Sequence, residues 1–310
     1  MPALRSRLAP SPTGALHLGN ARTFLVNWAL ARRRGWRLLL RIEDLDGPRI
    51  RPEAAAGLVD TLRWLGLDWD EGPVVQSDDP APYRAAIEKL AASGAAFPCA
   101  LTRGQIAAAA SAPQEGAHEL VYSSTLRPKG WERRFTDAET NWRLLVPGEK
   151  LRFQDEFAGP QSVDLAKVIG DFIVWTKRGL PAYQLAVVVD DARQGVTHVV
   201  RGDDLLDSAA RQLLLYRALG LSPEPAYCHL PLVKGPDGKR LAKRHGDSRL
   251  DEYRRLGVPV EKVLGLLGRW CGIEAERLTA KEFLARFDLA RLPKDPIVFR
   301  PEDDAALRTT

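Results

Sequence analysis

The sequence predicts an α/β protein with a doubly wound parallel sheet. Residues 36–42 (WRLLLRI) form a nearly continuous apolar run, as expected of a strand that is buried on both faces. Leucines repeat at helical spacing in residues 58–65, and apolar side chains do the same in residues 83–90. Strand-like runs therefore alternate with helical patterns, which is the order typical of a parallel sheet covered by helices.

The remaining elements follow the same order along the chain. A first strand at residues 7–9 leads into a turn rich in proline, serine, threonine and glycine, and a helix follows at about 18–34. The middle of the chain lacks this alternation of strand and helix patterns. It contains an alanine-rich helix at 105–112 and a strand-like piece at 142–146. The alternation then returns, in apolar runs at 172–176, 183–189, 197–201 and 227–233 and a helix at 205–219.

This pattern divides the chain into a split domain, an insertion and a tail. We predict the main α/β domain at residues 1–96 and 161–233, with the insertion at 97–160. Residues 234–310 then hold a basic loop and a small helical tail.

Composition excludes several classes of protein. With 45% hydrophobic and 27% charged residues, the chain is neither disordered, nor collagen-like, nor a coiled coil. No uncharged apolar run reaches the roughly 18 residues of a spanning helix, and Arg5 and Arg7 interrupt any signal-peptide core. We therefore expect a cytoplasmic protein with no membrane partner. The net charge of +5 is compatible with an anionic partner but is weak support for one.

The three cysteines do not form a disulfide framework. Cys99, Cys228 and Cys271 are far apart and include no CxxC pair. They are most simply buried thiols in a reducing compartment.

The first segment that could carry chemistry is APSPTGALHLGN, at residues 9–20. It lies between the first strand and the first helix, where open α/β sheets bind ligands. Free N–H groups at the helix N-terminus attract phosphate, Gly19 permits close approach, and His17 can donate a hydrogen bond. His-x-Gly alone is also compatible with an ordinary proline-rich turn, since so short a pattern recurs by chance.

The second segment is the basic loop GKRLAKRHG, at residues 238–246. Glycines at both ends indicate a mobile loop, and four residues between them are lysine or arginine. Such cationic groups suit polyphosphate, above all in a transition state where charge spreads over oxygens. Taken alone, the loop is equally compatible with a solvent-exposed basic surface.

The third segment is RIEDLD, residues 41–46, at the end of the second predicted strand. Carboxylates at such a position line the ligand-binding crevice and can pair with an ammonium group or with ribose hydroxyls. A solvated acidic loop, or a metal site without further ligands, is the alternative.

The fourth set is Tyr183 together with RGDD, residues 201–204, at the end of a later strand. A strand-end arginine in a crevice suits carboxylate recognition. The alternative is that Arg201 only pairs with Asp203 or Asp204.

Taken together, the four segments resemble the class I aminoacyl-tRNA synthetases, and specifically the glutamyl group. His17-Leu18-Gly19-Asn20 looks like the HIGH signature of that family, and residues 240–244 (RLAKR) look like its KMSKS signature. Longer blocks are more specific to the glutamyl group than these two signatures. They are RLAPSPTGALHLGNARTFLVNW (7–28), LRIEDLD (40–46), LRWLGLDWDEG (62–72) and AYQLAVVVDDARQGVTHVVRGDDLL (182–206). The resemblance as a whole covers residues 5–300. Ser11-Pro12-Thr13 favours glutamate over glutamine, because the glutaminyl enzymes carry Pro-Glu-Pro-Asn there.

Within this group the chain is similar to the shortened paralogues, the glutamyl-Q-tRNA(Asp) synthetases. Only 64 residues follow Gly246, too few for the rest of the body plus an anticodon-binding domain. RGDDLLDS at residues 201–208 also fits the RGxDLLxS pattern of these paralogues. The alternatives are the catalytic body of a truncated glutamyl-tRNA synthetase that charges the 3′ end of tRNA(Glu), and a non-catalytic tRNA-binding paralogue.

The resemblance implies ATP-dependent activation of L-glutamate and its transfer to the queuosine base in the anticodon of tRNA(Asp). Mg²⁺ is the expected counter-ion of ATP, and we expect a monomer. The implied catalytic residues are His17 and Lys243. The implied glutamate-binding residues are Arg7, Ser11, Glu43, Tyr183 and Arg201. The implied ATP-binding residues are His17, Gly19, Asn20, Arg240, Leu241, Ala242, Lys243 and Arg244.

Two departures from the family pattern stand out. The paralogues usually build a zinc site from Cys-x-Cys and Tyr-x-x-x-Cys, but here Leu101 and Leu126 replace two of the four ligands beside Cys99 and Tyr122. We therefore predict that zinc is absent, with apolar side chains packed in its place. Ala242 stands where the KMSKS-like loop commonly has serine, whereas Lys243 is retained.

Overall fold

The computed structural model describes residues 3–45, 50, 52–109, 121–136, 138–239, 241 and 248–309. Within these residues the α-helices are α1 (Leu18–Arg34), α2 (Pro52–Trp64), α3 (Ala81–Ala92), α4 (Arg103–Ala109), α5 (Tyr183–Arg193), α6 (Leu206–Ala218), α7 (Leu250–Arg255), α8 (Val260–Arg269), α9 (Ala280–Arg286) and α10 (Pro301–Arg308). The strands are β1 (Arg5–Leu8), β2 (Arg37–Ile42), β3 (Glu71–Val75), β4 (Ala96–Cys99), β5 (Asn141–Leu144), β6 (Lys150–Asp155), β7 (Gly159–Asp164), β8 (Ile173–Trp175), β9 (His198–Gly202), β10 (Ala226–Leu230), β11 (Val233–Lys234) and β12 (Ile297–Val298).

The chain divides into two compact units, each assembled from separate segments. The first unit is Met1–Val75, Val196–Asp204 and Cys228–Thr310, and the second is Gln76–Gly195 and Leu205–Tyr227. The boundaries that the sequence suggests at 96/97, 160/161 and 233/234 stay a prediction.

A parallel sheet forms the centre of the first unit. Strand β1 pairs in parallel with β2, and β2 pairs in parallel with β3. On the other side of β1 lies β9, and the backbone N–H of Thr197, just before β9, donates to the carbonyl of Arg5 at 2.9 Å. Residues 228–230 of β10 lie beside β9 in turn. Both β2 and α1 bury apolar side chains nearly completely, as the run at 36–42 predicts.

Both ends of helix α1 are formed by residues that are suited to capping a helix. His17 caps its N-terminus, and Gly35 closes it with a left-handed φ of 65°, a conformation that glycine adopts without strain. Its observed bounds match the predicted helix at 18–34. Arg22 fixes α1 to its surroundings, since its buried guanidinium donates to the carbonyls of Pro231 at 2.6 Å and Trp270 at 3.2 Å.

The second unit contains antiparallel pairs in the region predicted as an insertion. Strands β4, β5 and β8 form one antiparallel sheet, and β6 pairs with β7 in register from Lys150↔Asp164 to Asp155↔Gly159. Helices α3, α5 and α6 belong to this unit as well. The predicted strand-like piece at 142–146 corresponds to β5, and the alanine-rich helix corresponds to α4 over the residues that are described.

The apolar run at 183–189 is helical. It opens α5, in which Leu185 through Asp191 are all buried. A short apolar run that is buried on every side has no periodicity to separate strand from helix. The following Asp-Asp-Ala-Arg continues the helix to Arg193.

All three cysteines are buried free thiols, as the sequence predicts. Burial raises the pKa of Cys271 to about 11, which keeps this side chain a neutral thiol. None of the helices that the structure describes is long and apolar enough to cross a membrane.

Candidate active site

Most predicted site residues of the first unit lie at the carboxyl edge of its parallel sheet. Arg7 lies on β1 with only 4% of its surface exposed, and Glu43 follows β2 with 7% exposed. The Glu43 backbone N–H donates to the carbonyl of Pro10 at 3.0 Å, which joins the end of β2 to the loop after β1. Ser11, next in that loop, is exposed. The edge thus combines a buried cation, a buried carboxylate and an accessible hydroxyl.

The N-terminal turn of α1, residues 17–20, lies at the same edge and is called the α1 cap below. His17 is its N-cap, and the ring Nδ1 accepts a hydrogen bond from the Asn20 backbone N–H at 3.4 Å. A Cβ on Gly19 would lie 3.1 Å from the ring Cε1 of His17 and 3.4 Å from the Cβ of Val233. Glycine at position 19 therefore lets the imidazole and β11 approach the helix N-terminus closely. Such a terminus is suited to a phosphate group.

The residues just after the basic loop lie against the α1 cap. After the loop, the Ser248 carbonyl accepts a hydrogen bond from the backbone N–H of Leu18 at 3.0 Å, and the backbone N–H of Leu250 donates to the Leu16 carbonyl at 2.8 Å. Within the loop, Leu241 is buried, and its backbone N–H donates to the carbonyl of Val233 on β11 at 3.3 Å. The structure thus brings the segment just after the basic loop to the HIGH-like turn, and Val233, the partner of Leu241, lies beside Gly19 of that turn.

Four of the predicted ATP-binding residues, Arg240, Ala242, Lys243 and Arg244, lie outside the described residues.

Glu43 is held by a buried arginine from its own strand. Arg41 has no exposed surface, and its Nη2 and Nε lie 3.0 and 3.3 Å from the Glu43 Oε1. Both donors converge on one carboxylate oxygen. This geometry fixes the carboxylate and supplies the counter-charge that a buried anion needs.

Arg201 is held by a histidine on the neighbouring strand. It lies on β9 with 5% of its surface exposed, and its Nε donates to the Nε2 of His229 at 2.9 Å. His229 lies on β10 and is 1% exposed. This contact orients the guanidinium at a strand end where the sequence predicts a carboxylate-binding group.

Two aspartates follow Arg201 in a tight turn. A Cβ on Gly202 would lie 2.7 Å from the Oδ1 of Asp204 and 2.8 Å from the Cδ2 of Leu232, so a larger residue there would require these two side chains to shift. Burial, followed by the charge of Asp204, raises the pKa of the Asp203 carboxyl, and Lys234 acts in the opposite direction.

Tyr183 belongs to the second unit. It is the first residue of α5 and leaves 42% of its surface exposed. The next residue, Gln184, donates to the Ser208 hydroxyl at 3.0 Å and accepts from Gln212 at 3.1 Å. These bonds join the first turn of α5 to α6.

A family comparison covers nearly the whole chain. Residues 3–303 match the catalytic domain of the class I tRNA synthetases of the E and Q group. The chain belongs to the class I tRNA synthetases. Membership makes it a ligase of the aminoacyl-tRNA synthetase type, and the predicted family is confirmed.

Individual relatives agree with this assignment. The chain is 48% identical to a glutamyl-Q tRNA(Asp) synthetase of Symbiobacterium thermophilum over 98% of each protein. It is 43% identical to a glutamyl-Q tRNA(Asp) synthetase of Rhodopirellula baltica, over 94% of this chain and 95% of that one. A crystal structure of a glutamate tRNA ligase from Elizabethkingia meningosepticum superposes with a TM-score of 0.79 at 27% identity, over 97% of this chain and 68% of that one. The class I Rossmann-like α/β fold is therefore confirmed.

The zinc site implied by the synthetase resemblance does not fit the residues of the second unit. Cys99 and Tyr122 are buried in an apolar cluster with Phe97 and Ile106, and Leu101 and Leu126 pack against it. The Tyr122 hydroxyl donates to the Leu126 carbonyl at 2.7 Å, and burial raises the pKa of this phenol, which keeps it neutral. Two leucines supply no ligand atom to a metal that needs four. In the described part of the chain, no cluster of three or more His, Cys, Asp or Glu side chains could hold a metal ion.

We therefore expect the purified synthetase to contain far less than one zinc per chain by elemental analysis. The matched variant L101C/L126C completes the Cys-x-Cys and Tyr-x-x-x-Cys set and is expected to gain stoichiometric zinc. About one zinc per chain in the parent protein would contradict this interpretation of the insertion.

Sequence analysis assigned no role to two residues that contact predicted site residues, Arg41, which opens the RIEDLD segment, and His229. Each is a polar side chain inside an otherwise apolar run, LLLRI for Arg41 and YCHLPLV for His229. Because a buried polar group needs a partner, such an interruption is the signal that could have indicated them. The partner of His229 is 28 residues away and is not visible in the sequence.

Proposed function

We propose that this synthetase activates L-glutamate with ATP and transfers the glutamyl group to queuosine in the anticodon of tRNA(Asp). The relatives named above as glutamyl-Q tRNA(Asp) synthetases, similar over nearly their full length, support the acceptor. The buried charges at the sheet edge support the amino acid, since glutamate brings two carboxylates and one ammonium group. A cytoplasmic location and a monomeric state remain predictions.

The observation that carries the proposal is the contact between the HIGH-like turn and residues 248–250, just after the basic loop, with Val233 between that turn and Leu241. Backbone hydrogen bonds connect Leu16 and Leu18 to residues 248–250, and Val233 contacts both Gly19 and Leu241. The N-terminus of α1 thus lies beside the described residues that border a segment rich in lysine and arginine. Polyphosphate binding requires this combination of backbone donors and cationic side chains.

The first chemical step needs no protein nucleophile. A carboxylate oxygen of glutamate attacks the α-phosphorus of ATP, the bond to the β-phosphate oxygen breaks, and pyrophosphate leaves with the electron pair. Arg7 and Arg201 hold the substrate carboxylates, Glu43 pairs with the ammonium, and Ser11 and Tyr183 offer hydroxyls for hydrogen bonds. Catalysis then comes from positioning and from electrostatic stabilisation of the departing pyrophosphate.

The phosphates are assigned to the cap of α1 and to the basic loop. His17, Gly19 and Asn20 at the N-terminus of α1, together with Lys243, bind them, with Lys243 stabilising the charge that develops on pyrophosphate. Mg²⁺, when bound with ATP, screens the phosphate charge.

In the second step a hydroxyl of the tRNA attacks the glutamyl carbonyl, and AMP leaves. Arginine contacts to phosphate position the RNA without reading its sequence, so binding weakens with salt. The identity of the acceptor then depends on the modified base.

The activation step is tested by glutamate-dependent exchange of pyrophosphate into ATP. We expect exchange without any tRNA, because the proposed site for glutamate and ATP needs no RNA. Lys243→Ala is expected to reduce kcat by roughly 100- to 1000-fold while leaving glutamate KM nearly unchanged, as for a donor that acts mainly in the transition state.

Lys294→Ala, at an exposed lysine of the same unit, is the matched control and should behave as the parent. Parent-like exchange in Lys243→Ala would remove this lysine from the mechanism. Exchange that appears only on addition of tRNA would favour an enzyme of the glutamate–tRNA ligase type.

A further inference from the structure

An ion pair holds the segment that carries two of the four zinc-ligand positions of the family pattern, residues 122–126. Arg127 follows this segment directly, and Asp171 lies just before β8 in the same unit. The Nε of Arg127 donates to the Asp171 Oδ2 at 2.7 Å, and its Nη2 donates to the Oδ1 at 2.8 Å. The pair is therefore bidentate, a geometry that fixes both side chains in one orientation.

Asp171 is buried, and its partners lie on the sheet of the second unit. Its side chain is 1% exposed, and the Oδ1 also accepts from the backbone N–H of Val146 at 2.8 Å. The Val146 carbonyl accepts from the Nη2 of Arg127 at 2.6 Å. Arg127 is thus bound both to the residue before β8 and to the chain just after β5.

Further contacts attach Tyr122, at the start of the segment, to the same place. The Asp171 backbone N–H donates to the Tyr122 carbonyl at 3.1 Å, and a Cβ on Gly170 would lie only 2.6 Å from that oxygen. Arg143 on β5 donates to the Asp171 carbonyl at 2.7 Å, and its guanidinium lies 4.4 Å from the centre of the Tyr122 ring. Both ends of residues 122–127 are therefore fixed to the sheet of β4, β5 and β8.

A zinc ion bound in the family pattern would join the same segment to the same sheet, since Cys99 ends β4. Here the apolar cluster around Cys99 and Tyr122 fills that place, but apolar contacts have no preferred direction. We propose that the Arg127–Asp171 pair is the cross-link that holds residues 122–127 in this synthetase, in the role that zinc has in a complete site. The proposal is independent of the amino acid and of the acceptor tRNA.

Hydrogen–deuterium exchange of the full chain tests the cross-link directly. The backbone N–H of Arg127 donates to the Ser124 carbonyl at 3.2 Å, so peptides from residues 122–127 report on the segment. We expect R127M to speed their exchange by about tenfold or more, because both bonds to a buried carboxylate are lost. R217A is the matched control: Arg217 pairs with Glu224 at 2.8 Å in the same unit, but on the surface, and its loss should leave these peptides unchanged.

A second measurement asks whether a metal can replace the pair. Thermal melting compares R127M in the parent chain with R127M in zinc-loaded L101C/L126C. We expect R127M to lower the Tm by about 5–10 °C in the parent. The loss should be less than half as large in the zinc-loaded background, because two cross-links on one segment are not additive. R217A should lower the Tm by at most about 3 °C in both backgrounds.

Parent-like hydrogen exchange of residues 122–127 in R127M would overturn the proposal. An equal loss of Tm in the two backgrounds would also overturn it, because the pair and the metal would then act independently. If L101C/L126C binds no zinc, hydrogen exchange alone decides. If R127M does not fold, R127K keeps the charge but cannot form the bidentate pair, and it should show the same changes to a smaller extent.

Discussion

Replacing Arg201 or Arg7 with alanine is expected to raise the KM for glutamate by about 100-fold or more. Both arginines are at least nine-tenths buried, with 5% and 4% of their surface exposed. Removing one partner of a buried charge pair costs about 3–5 kcal/mol, and each 1.4 kcal/mol is a tenfold change in affinity. The KM for ATP should change little, since the phosphates are assigned to α1 and the basic loop. Steady-state pyrophosphate exchange measures both constants.

Arg5→Ala is the matched control on the same strand. Arg5 pairs at 3.0 Å with Glu71, and both side chains are partly exposed, so its loss should cost at most about 1 kcal/mol. Its KM for glutamate should stay near that of the parent. If Arg7→Ala and Arg201→Ala also kept the parent KM, the assignment of these two arginines to the substrate carboxylates would be wrong.

Replacing Arg41 with methionine is expected to lower the free energy of unfolding by about 3–5 kcal/mol, because it removes the Arg41 cation from its buried pair with the Glu43 carboxylate. Arg41 is fully buried and Glu43 is 7% exposed, so solvent does little to screen the loss. The KM for glutamate should rise as well, since both donors on the Glu43 Oε1 disappear. Denaturant unfolding followed by circular dichroism measures the first effect, and pyrophosphate exchange measures the second.

The double variant R41M/E43Q separates stability from binding. Replacing both charges with neutral groups is expected to recover a large part of the lost stability, because the Arg41–Glu43 pair is then removed as a whole and not one charge at a time. Glutamate binding should remain impaired, since the ammonium group of the substrate then lacks its carboxylate. Recovery of the parent KM in the double variant would show that Glu43 is not the partner of the ammonium.

The elements with strong local patterns were predictable from the sequence. Helix α1 has the predicted bounds, and β2 begins one residue after the start of the apolar run at 36–42. Long amphipathic or continuous apolar runs specify their own structure, since the period of the side chains determines which face is buried. The helix at 183–193 was not predictable in this way, because its apolar run is short and buried on every side.

The contacts within the candidate site were not predictable from the sequence, and the assignment of its residues to glutamate and ATP stays a prediction. Motif order indicated the groups at the strand ends, whereas the bonds from Leu16 and Leu18 to residues 248–250 join segments about 230 residues apart. Tertiary packing alone creates such contacts. The same holds for the pair of Arg201 and His229, which is formed across two strands.

The most direct test of the central claim is transfer of labelled glutamate to defined tRNAs. The substrates are tRNA(Asp) with queuosine, tRNA(Asp) without it, and tRNA(Glu). We predict label only on the tRNA(Asp) that carries queuosine, and we predict that labelling persists when the 3′-terminal adenosine is removed before the reaction. Label at the 3′ end of tRNA(Glu) would contradict the proposal and would identify the activity as that of a glutamate–tRNA ligase.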